Sequence, residues 1–211
     1  MEQFLFATEV IYSTTMMRNS SFFETDELLD LGLKFIGLEV KISRHAILYG
    51  NENISVGNYS RIDDFCILSA GNDGEIRIGE HVHVAAGVHL YGGAAIIIDD
   101  YVSLSSGCKV YSVSDDFFGE YMTNPTVPDR YRNVISKRIT LSKHSLIGAG
   151  TILLPGAIVP EGTSVGAMSL VTKELEPWGI YVGIPVRKIK NRSKRLLEFE
   201  NLFNNDTRFS K

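Results

Sequence analysis

Five histidines are the residues of this sequence best suited to proton transfer near neutral pH, because an unperturbed imidazole titrates in that range. Two of them, His83 and His89, each directly precede an aliphatic residue that a regular pattern places inside the fold. Both are therefore expected to point outward from a flat face, and both are candidate general bases. The other three are expected to be solvated residues of turns or faces: His45, His81 and His144.

Two adjacent carboxylates, Asp115 and Asp116, follow a serine-containing segment in the middle of the chain. Carboxylates of ordinary pKa could hold an ammonium group and hydroxyls of a ligand, and Asp115 is a further candidate base. An Asp-Asp pair also suits a simple loop turn, and that alternative stays open. Further along, Arg130 could bind a phosphate bidentately or be a solvated loop charge.

A six-residue period indicates which elements must position these side chains. An aliphatic residue recurs at every sixth position at Leu141, Ile147, Leu153, Val159, Val165 and Val171. The residue four places after each of the first five is small: Ser145, Thr151, Ala157, Thr163 and Ser169. The same phase runs upstream in shorter groups, separated by steps of eight or ten residues. Repetition at a fixed short period is typical of a solenoid.

The period predicts an all-β fold, a parallel β-helix in which each hexapeptide supplies one short strand. Its aliphatic residue fills the interior, and its small residue fits beside a tight corner. If three hexapeptides form one triangular coil, every insertion leaves from the same corner. The short insertions lie near 50–53, 71–75 and 92–95, and an extruded loop is predicted at about 112–134.

Both cysteines fall at the small interior position of one face, Cys66 and Cys108, with Val88 between them. Stacked coils lie about 4.7–4.9 Å apart, so two thiols separated by two coils are beyond the reach of a disulfide. We expect buried free thiols without a catalytic role, as in a protein of a reducing cytoplasm.

The ends of the chain depart from the period. Residues 1–40 form a predicted N-terminal cap with a short helix over Glu24–Gly32. Residues 41–175 form the β-helix, and residues 176–211 double back and end in a helix over Asn191–Phe203. No linker or second domain is expected in a chain of this length.

Composition excludes several classes of protein. The 211 residues have a net charge of −4, a hydrophobic fraction of 44% and a charged fraction of 22%, as in an ordinary globular chain. The acidic balance gives no general reason to bind nucleic acid. No apolar run approaches the roughly 18 residues of a membrane helix, and Glu2 and Glu9 argue against a signal peptide. A cytoplasmic protein without integral membrane association is expected.

The hexapeptide pattern followed by VGAMSLVTKELEPWGIYVGIPVRKIK (residues 165–190) resembles the left-handed β-helix acyltransferases. The resemblance runs from about Gly32 to Leu197 and implies left-handed coils, a homotrimer and acyl transfer from coenzyme A to an amine or hydroxyl. Residues 61–69, 81–93 and 111–134 resemble the branch that acylates sugars for O-antigen and other bacterial surface polysaccharides. Within that branch, the likeness is to enzymes of the viosamine type, which act on a dTDP-linked 4-amino-4,6-dideoxy sugar.

The resemblance also implies which residues bind acetyl-CoA, the expected acyl donor. Small residues at outward corners, Ala149 and Ala167, match positions that leave a groove for pantetheine in related enzymes. Three further residues match positions near the nucleotide end of the coenzyme: Thr172, Lys173 and Arg187.

The catalytic base is less directly implied. His83 matches a histidine that contacts the acyl group in amino-sugar acetyltransferases. Two positions that carry the catalytic histidine in related enzymes are filled here by Asp115 and by the stretch 70–73, which has none. The catalytic base is therefore expected to be His83 or His89, acting from a position next to the usual one, or an aspartate. Asp116 and Arg130 are expected to bind the acceptor.

The expected function is acetyl-CoA-dependent N-acetylation of a nucleotide-linked amino-deoxy sugar, without a metal. One alternative is O-acetylation of a sugar hydroxyl. A remote alternative is a metal hydratase like the γ-class carbonic anhydrases, although the spacing of His81, His83 and His89 lacks the paired histidines of that family. A non-enzymatic scaffold is the last alternative.

Overall fold

Stacked coils of short parallel strands form a three-sided prism. The computed structural model describes residues 21–71 and 74–206. The predictions made for the first twenty residues, for 72–73 and for 207–211 lie outside the described residues. The predicted parallel β-helix is confirmed, since the strands of the coils pair in parallel with the strands one coil away.

Three sheets form the sides of the prism. Sheet I contains β1 (Phe35–Ile36), β4 (Ile54–Val56), β7 (Ile76–Ile78), β10 (Ile96–Ile98), β15 (Ile139–Leu141) and β18 (Ile158–Val159). Sheet II contains β2 (Lys41–Ile42), β5 (Arg61–Ile62), β8 (His83–Val84), β11 (Ser103–Leu104), β16 (Leu146–Ile147), β19 (Ser164–Val165), β21 (Gly179–Val182) and β22 (Arg187–Asn191). Sheet III contains β3 (Ile47–Tyr49), β6 (Ile67–Ala70), β9 (His89–Gly92), β12 (Lys109–Tyr111), β17 (Ile152–Leu153) and β20 (Leu170–Val171).

The interior is a set of ladders of aliphatic side chains in register. On sheet II, Val84 pairs with Leu104, and Leu104 pairs with Ile147. All three side chains are fully buried, as the six-residue period predicts. The small residues at the fourth position after each aliphatic are buried as well: Ser145, Thr151, Ala157, Thr163 and Ser169. Burying one such aliphatic side chain contributes about 1.5–3 kcal/mol, so the ladders supply most of the hydrophobic stabilisation.

All the insertions leave from the corner between sheets III and I, as predicted. Three short connections lie there, and the long loop leaves after β12 and returns to β15. At its base, β13 (Val113–Ser114) and β14 (Ile135–Ser136) form an antiparallel ribbon. A short 3₁₀ turn lies within the loop at Asp129–Tyr131. The ribbon closes the loop at the surface of the prism, so β15 after the loop still pairs in register with β10 before it.

The two ends carry short helices. Helix α1 (Thr25–Asp30) lies at the N-terminal end and buries Leu28 against the first coil. The predicted helix over Asn191–Phe203 is wrong in its first part, because β22 reaches Asn191 and pairs antiparallel with β21. Helix α2 therefore runs over Leu196–Asn204. The division at residues 40 and 175 stays a prediction, since parallel pairing already includes β1 and still includes β21.

The corner between sheets I and II carries a column of stacked rings. Tyr59, His81, Tyr101 and His144 come from four successive coils and adopt left-handed φ angles between 54° and 61°. Their ring centroids are 4.9, 5.2 and 5.1 Å apart. Phe203 of α2 meets His81 edge-on, so the last helix packs on this column.

Cys66 and Cys108 are both free and fully buried, as predicted. Burial raises the pKa of each thiol to about 11. Both remain protonated at neutral pH, where only the thiolate is a nucleophile. Within the described residues, no helix has the length and apolar character needed to cross a membrane.

Candidate functional site

The corner between sheets II and III carries small residues in successive coils. Ala86, Ser106 and Ala149 accept backbone hydrogen bonds from the next coil at 3.0, 3.0 and 2.8 Å. Ala149 and Ala167 are both exposed at this corner. We call this column of residues, 86, 106, 149 and 167, the small-residue corner. Because its side chains are short, a narrow extended ligand can approach the backbone there.

His83 lies on β8, on the sheet that leads into the small-residue corner. Its Nε2 is 2.8 Å from Oδ2 of Asp63, and the Nε of Arg61 donates to the other oxygen of that carboxyl. Burial of Asp63 opposes its ionisation, but the hydrogen bonds from His83 and Arg61 outweigh it, so the pKa of Asp63 lies below its usual value. A carboxylate accepts the Nε2 proton of neutral His83, so Nδ1 carries the lone pair.

His89 lies on β9, around the corner from His83 and on sheet III. Its Nδ1 is 3.4 Å from Nζ of Lys109, and its ring meets Tyr91 edge-on at 5.9 Å. Burial and the charge of Lys109 together lower the pKa of His89. The two candidate histidines thus have opposite partners, because one contacts a carboxylate and the other an ammonium group.

A mostly apolar cleft of about 710 Å³ lies between the long loop and the end of sheet III. Asp115 and Thr172 both line it, as do Phe117 and Phe118 of the loop. These two phenylalanines are 88% and 86% exposed, so the loop presents apolar surface that no residue in the described part of the chain covers. The remaining lining residues are Tyr111, Val113, Ser114, Ile135, Lys137, Leu154 and Pro155.

Asp116 holds the loop rather than facing the cleft. Its carboxylate accepts hydrogen bonds from the backbone N–H groups of Phe118, Glu120 and Tyr121 at 2.7–2.9 Å. These bonds, led by that from Phe118, lower the pKa of Asp116. The neighbouring Asp115 accepts one long bond, 3.3 Å from the backbone of Asn124. The loop-turn alternative therefore describes Asp116 well, whereas Asp115 keeps its carboxylate available in the cleft.

The remaining predicted binding residues are exposed. Arg130 stacks over the ring of Tyr131 at 4.6 Å. Thr172 and Lys173 follow the last strand of sheet III, and Arg187 begins β22. The side chains expected to bind the nucleotide end of coenzyme A thus lie at the C-terminal end of the prism.

Arg192 lies in the segment that connects β22 to α2 and is half-buried. It donates to backbone oxygens of His144 and Gly162, and burial lowers its pKa. Arg192 thereby attaches the segment before α2 to the prism.

His81 and His144, expected to be solvated, are packed in the ring column. The expectation for His144 is wrong, because helix α2 covers it. Its Nε2 is 2.8 Å from Oε2 of Glu200, and its side chain is only 9% exposed. The sequence signal for this was a tyrosine or histidine two residues before each of β5, β8, β11 and β16, at a position outside the aliphatic period.

Within one chain the candidates fall on different sides of the prism. His83 is on sheet II, whereas His89, Asp115 and Thr172 are on sheet III or at the loop beyond it. The small-residue corner lies between these two groups. Across residues 21–71 and 74–206, no three side chains of His, Cys, Asp or Glu are grouped as a metal ion requires.

The coils, the small-residue corner and the long loop at another corner of the prism define the class of protein, a left-handed β-helix acyltransferase. No family model matches the chain. Over 177 residues it is 44% identical to the dTDP-4-amino-4,6-dideoxy-D-glucose acyltransferase of Escherichia coli, covering 84% of this chain and 92% of that protein. The chain therefore belongs to the hexapeptide-repeat acyltransferase family that includes this enzyme.

Solved structures agree with this assignment. The crystal structure of AntD, an N-acyltransferase from Bacillus cereus, in complex with dTDP and 3-hydroxybutyryl-CoA matches with a TM-score of 0.85 and 43% identity. The match covers 89% of this chain and 98% of AntD. The maltose O-acetyltransferase of Clostridium difficile shares the fold, with a TM-score of 0.58 and 16% identity over 90% of this chain and 86% of that protein. The predicted fold, its handedness and the acyltransferase class are confirmed.

Proposed function

We propose that the chain transfers an acyl group from coenzyme A to the 4-amino group of dTDP-4-amino-4,6-dideoxyglucose. The observation that carries this proposal is the 44% identity over 92% of the E. coli acyltransferase of that sugar. The AntD complexes with dTDP-4-amino-4,6-dideoxyglucose and with 3-hydroxybutyryl-CoA support both substrates. The amine attacks the thioester carbonyl, a C–N bond replaces the C–S bond, and the amine proton leaves as the thiol of coenzyme A is released.

The site is proposed to lie between subunits of a homotrimer. One subunit contributes the small-residue corner with His83, and the neighbouring subunit contributes its long loop with Asp115. The separation of these residues on one chain supports this arrangement, because a second copy is needed to bring the loop to the corner. The exposed Phe117 and Phe118 would then be covered.

The AntD structures support a role for Asp115. Variants of AntD were solved with a serine or an aspartate replaced, two residues that lie ten positions apart. This chain has the same spacing between Ser105, at the turn beside the small-residue corner, and Asp115 in the cleft. The spacing also fits Ser106 and Asp116, but the carboxylate of Asp116 is occupied by backbone. Asp115 is proposed to bind the sugar ammonium group.

His83 is proposed as the general base. Asp63 accepts its Nε2–H, so Nδ1 carries the lone pair that is proposed to take a proton from the attacking amine. Arg130 and the residues at the C-terminal end, Thr172, Lys173 and Arg187, are proposed to bind phosphates of the two substrates. Asp116 is proposed to order the loop and so to bind the acceptor only indirectly.

The test is acyl transfer to dTDP-4-amino-4,6-dideoxyglucose, measured by thiol release and by the mass of the N-acyl product. Acetyl-CoA and 3-hydroxybutyryl-CoA are compared as donors. We expect His83→Ala to lower kcat about 10²–10⁴-fold, the usual worth of a general base. Lys41→Ala, in the same outward row two strands away, is the matched control and should keep full activity.

Two outcomes would contradict these assignments. Near-full activity of His83→Ala would show that His83 is not the base, and near-full activity of His89→Ala as well would show that neither histidine is. Thiol release with a sugar hydroxyl acceptor but with no amino sugar would favour O-acetylation.

The proposed setting is the synthesis of O-antigen or a related surface polysaccharide in the cytoplasm, where acyl-CoA and nucleotide sugars are available. A putative lipopolysaccharide biosynthesis O-acetyl transferase of E. coli, 27% identical over 78% of its length, supports this setting. Loss of the acylated sugar from surface polysaccharide in a deletion strain would be the expected outcome, and an unchanged polysaccharide would contradict it.

A further inference from the structure

One outward row of sheet III is apolar except at its centre. The paired residues from successive coils are Ile47, Ile67, His89, Lys109, Ile152 and Leu170. His89 and Lys109 are thus flanked by Ile67 on one side and Ile152 on the other, and both are half-buried. Positive charge on both His89 and Lys109 would cost free energy of desolvation in such a row unless a carboxylate or another anionic group compensated it. In the described part of the chain, neither side chain forms an ion pair with a carboxylate.

The contact between the two side chains fixes where the imidazole proton is. The ammonium group of Lys109 has three donors and no acceptor, so Nδ1 of His89 must accept the hydrogen bond across 3.4 Å. A neutral imidazole that accepts at Nδ1 carries its proton on Nε2. His89 therefore presents an N–H donor, whereas His83 presents a lone pair beside Asp63.

The surroundings of His89 favour the neutral form. Its own strand contributes Tyr91, whose ring lies edge-on, and β12 contributes Lys109 and Tyr111. The strand on the other side, β6, faces it with Ile67 and Ser69. Because the ring is partly buried and, to a smaller extent, because the ammonium group repels a second positive charge, the pKa of His89 lies below its usual value.

We propose that Lys109 is a positioning residue that holds His89 as an Nε2–H donor, so that the pair binds a negatively charged oxygen of the substrates. This inference rests on the proposed function. The oxygen is either the oxyanion that forms at the thioester carbonyl or an oxygen of the nucleotide diphosphate. The same N–H and ammonium groups suit either oxygen, since both would accept charge-assisted hydrogen bonds from them.

Two substitutions of His89 distinguish a role as hydrogen-bond donor from a role as general base. The amide of His89→Gln keeps an N–H near the position of Nε2 but cannot take up a proton. We expect His89→Gln to stay within about 10-fold of wild type, while His89→Ala loses about 10²–10³-fold in kcat if the oxygen is the oxyanion. If the oxygen belongs to the diphosphate, His89→Ala instead weakens binding of dTDP by about 10-fold or more, measured by calorimetry.

The matched comparison is His83→Gln, which should lose as much activity as His83→Ala because a base must accept a proton. Equal loss in His89→Gln and His89→Ala would overturn the donor role of His89. No change in kcat and in dTDP binding for His89→Ala would overturn it as well.

The role of Lys109 is tested by nitrogen NMR of histidine in the free enzyme. We expect the Nε2–H tautomer at His89, a higher His89 pKa in Lys109→Met, and the wild-type pKa in Lys109→Arg. An Nδ1–H tautomer, or an unchanged titration in Lys109→Met, would overturn the inference. This readout needs no turnover. A wild-type protein inactive toward the amino sugar would therefore contradict the proposed function alone.

Discussion

At the scale of single residues, what an ionisable side chain can do depends on the group that it contacts more than on its residue type. His83 and His89 are outward histidines a few residues apart, yet one contacts a carboxylate and the other an ammonium group. Asp115 and Asp116 are adjacent, yet only Asp116 is fully engaged by backbone N–H groups. The types and spacing could be read from the sequence. The partners could not, because they come from other coils or from the fold of the loop.

The two buried thiols give a first prediction at this scale. Because burial raises the pKa of Cys66 and Cys108 to about 11, a disulfide reagent at pH 8 should modify neither thiol in the native protein and both after unfolding. The same shift stabilises the fold fully below the pKa of an unfolded thiol, about 8.5, and that stability is lost as pH rises toward 11. Rapid modification of the native protein would contradict the burial.

Asp116 gives a second prediction at this scale. Asp116→Asn should increase cleavage of the loop in limited proteolysis, because an amide cannot accept all three backbone hydrogen bonds. Since the pKa of Asp116 is lowered, its hold on the loop is complete above the usual carboxyl pKa and is lost as pH falls through the lower value. Asp115→Asn is the matched control, and similar cleavage in both variants would contradict this role.

At the scale of elements, helix α2 is held by a column of rings and by one carboxylate. Phe203 packs on the column, and Glu200 accepts from Lys143 and contacts His144. The hydrogen bond from Lys143 leads the effects that lower the pKa of Glu200, against a smaller effect of burial. The sequence predicted a helix here but misplaced its start at Asn191. Pairing of β22 with β21 is a contact between segments, and local helical spacing does not report it.

The attachment of α2 can be tested by hydrogen exchange. Glu200→Ala should raise the exchange of amides in Leu196–Asn204 while the sheets stay protected, because the contacts to Lys143 and His144 are lost. The contribution of Glu200 is present above the pKa of an unfolded glutamate and is lost as pH falls through its lowered folded value. Leu202→Ala, an exposed position of the same helix, is the control. Equal protection in both variants would contradict this attachment.

At the scale of the whole molecule, stability resides in ladders that run the length of the prism. Their positions follow directly from the six-residue period, because each coil buries its aliphatic residue only against the coils above and below. That is why Leu104 and Ile147 could be placed inside from the sequence. The site could be predicted only in part, since Asp63, Lys109 and the ring column depend on register between distant segments.

A central ladder position gives the prediction at this scale. Leu104→Ala should lower the free energy of unfolding by about 2–5 kcal/mol, through lost burial and the cavity that remains. The nearly isosteric Leu104→Met should cost less than about 1.5 kcal/mol. Chemical denaturation of both variants measures the difference, and similar costs would show that the interior can repack around this position.

The ribbon of β13 and β14 separates the long loop from the rest of the chain. Both ends of the loop are tied together at the surface of the prism, and the coils above and below keep their register whatever the ribbon carries. Insertions, deletions and exchanges within 115–134 thus leave the six-residue register of the coils unchanged. Under the proposed function, changes confined to this one segment would alter the acceptor that is recognised, while the coils proposed to hold the acyl donor stay unchanged.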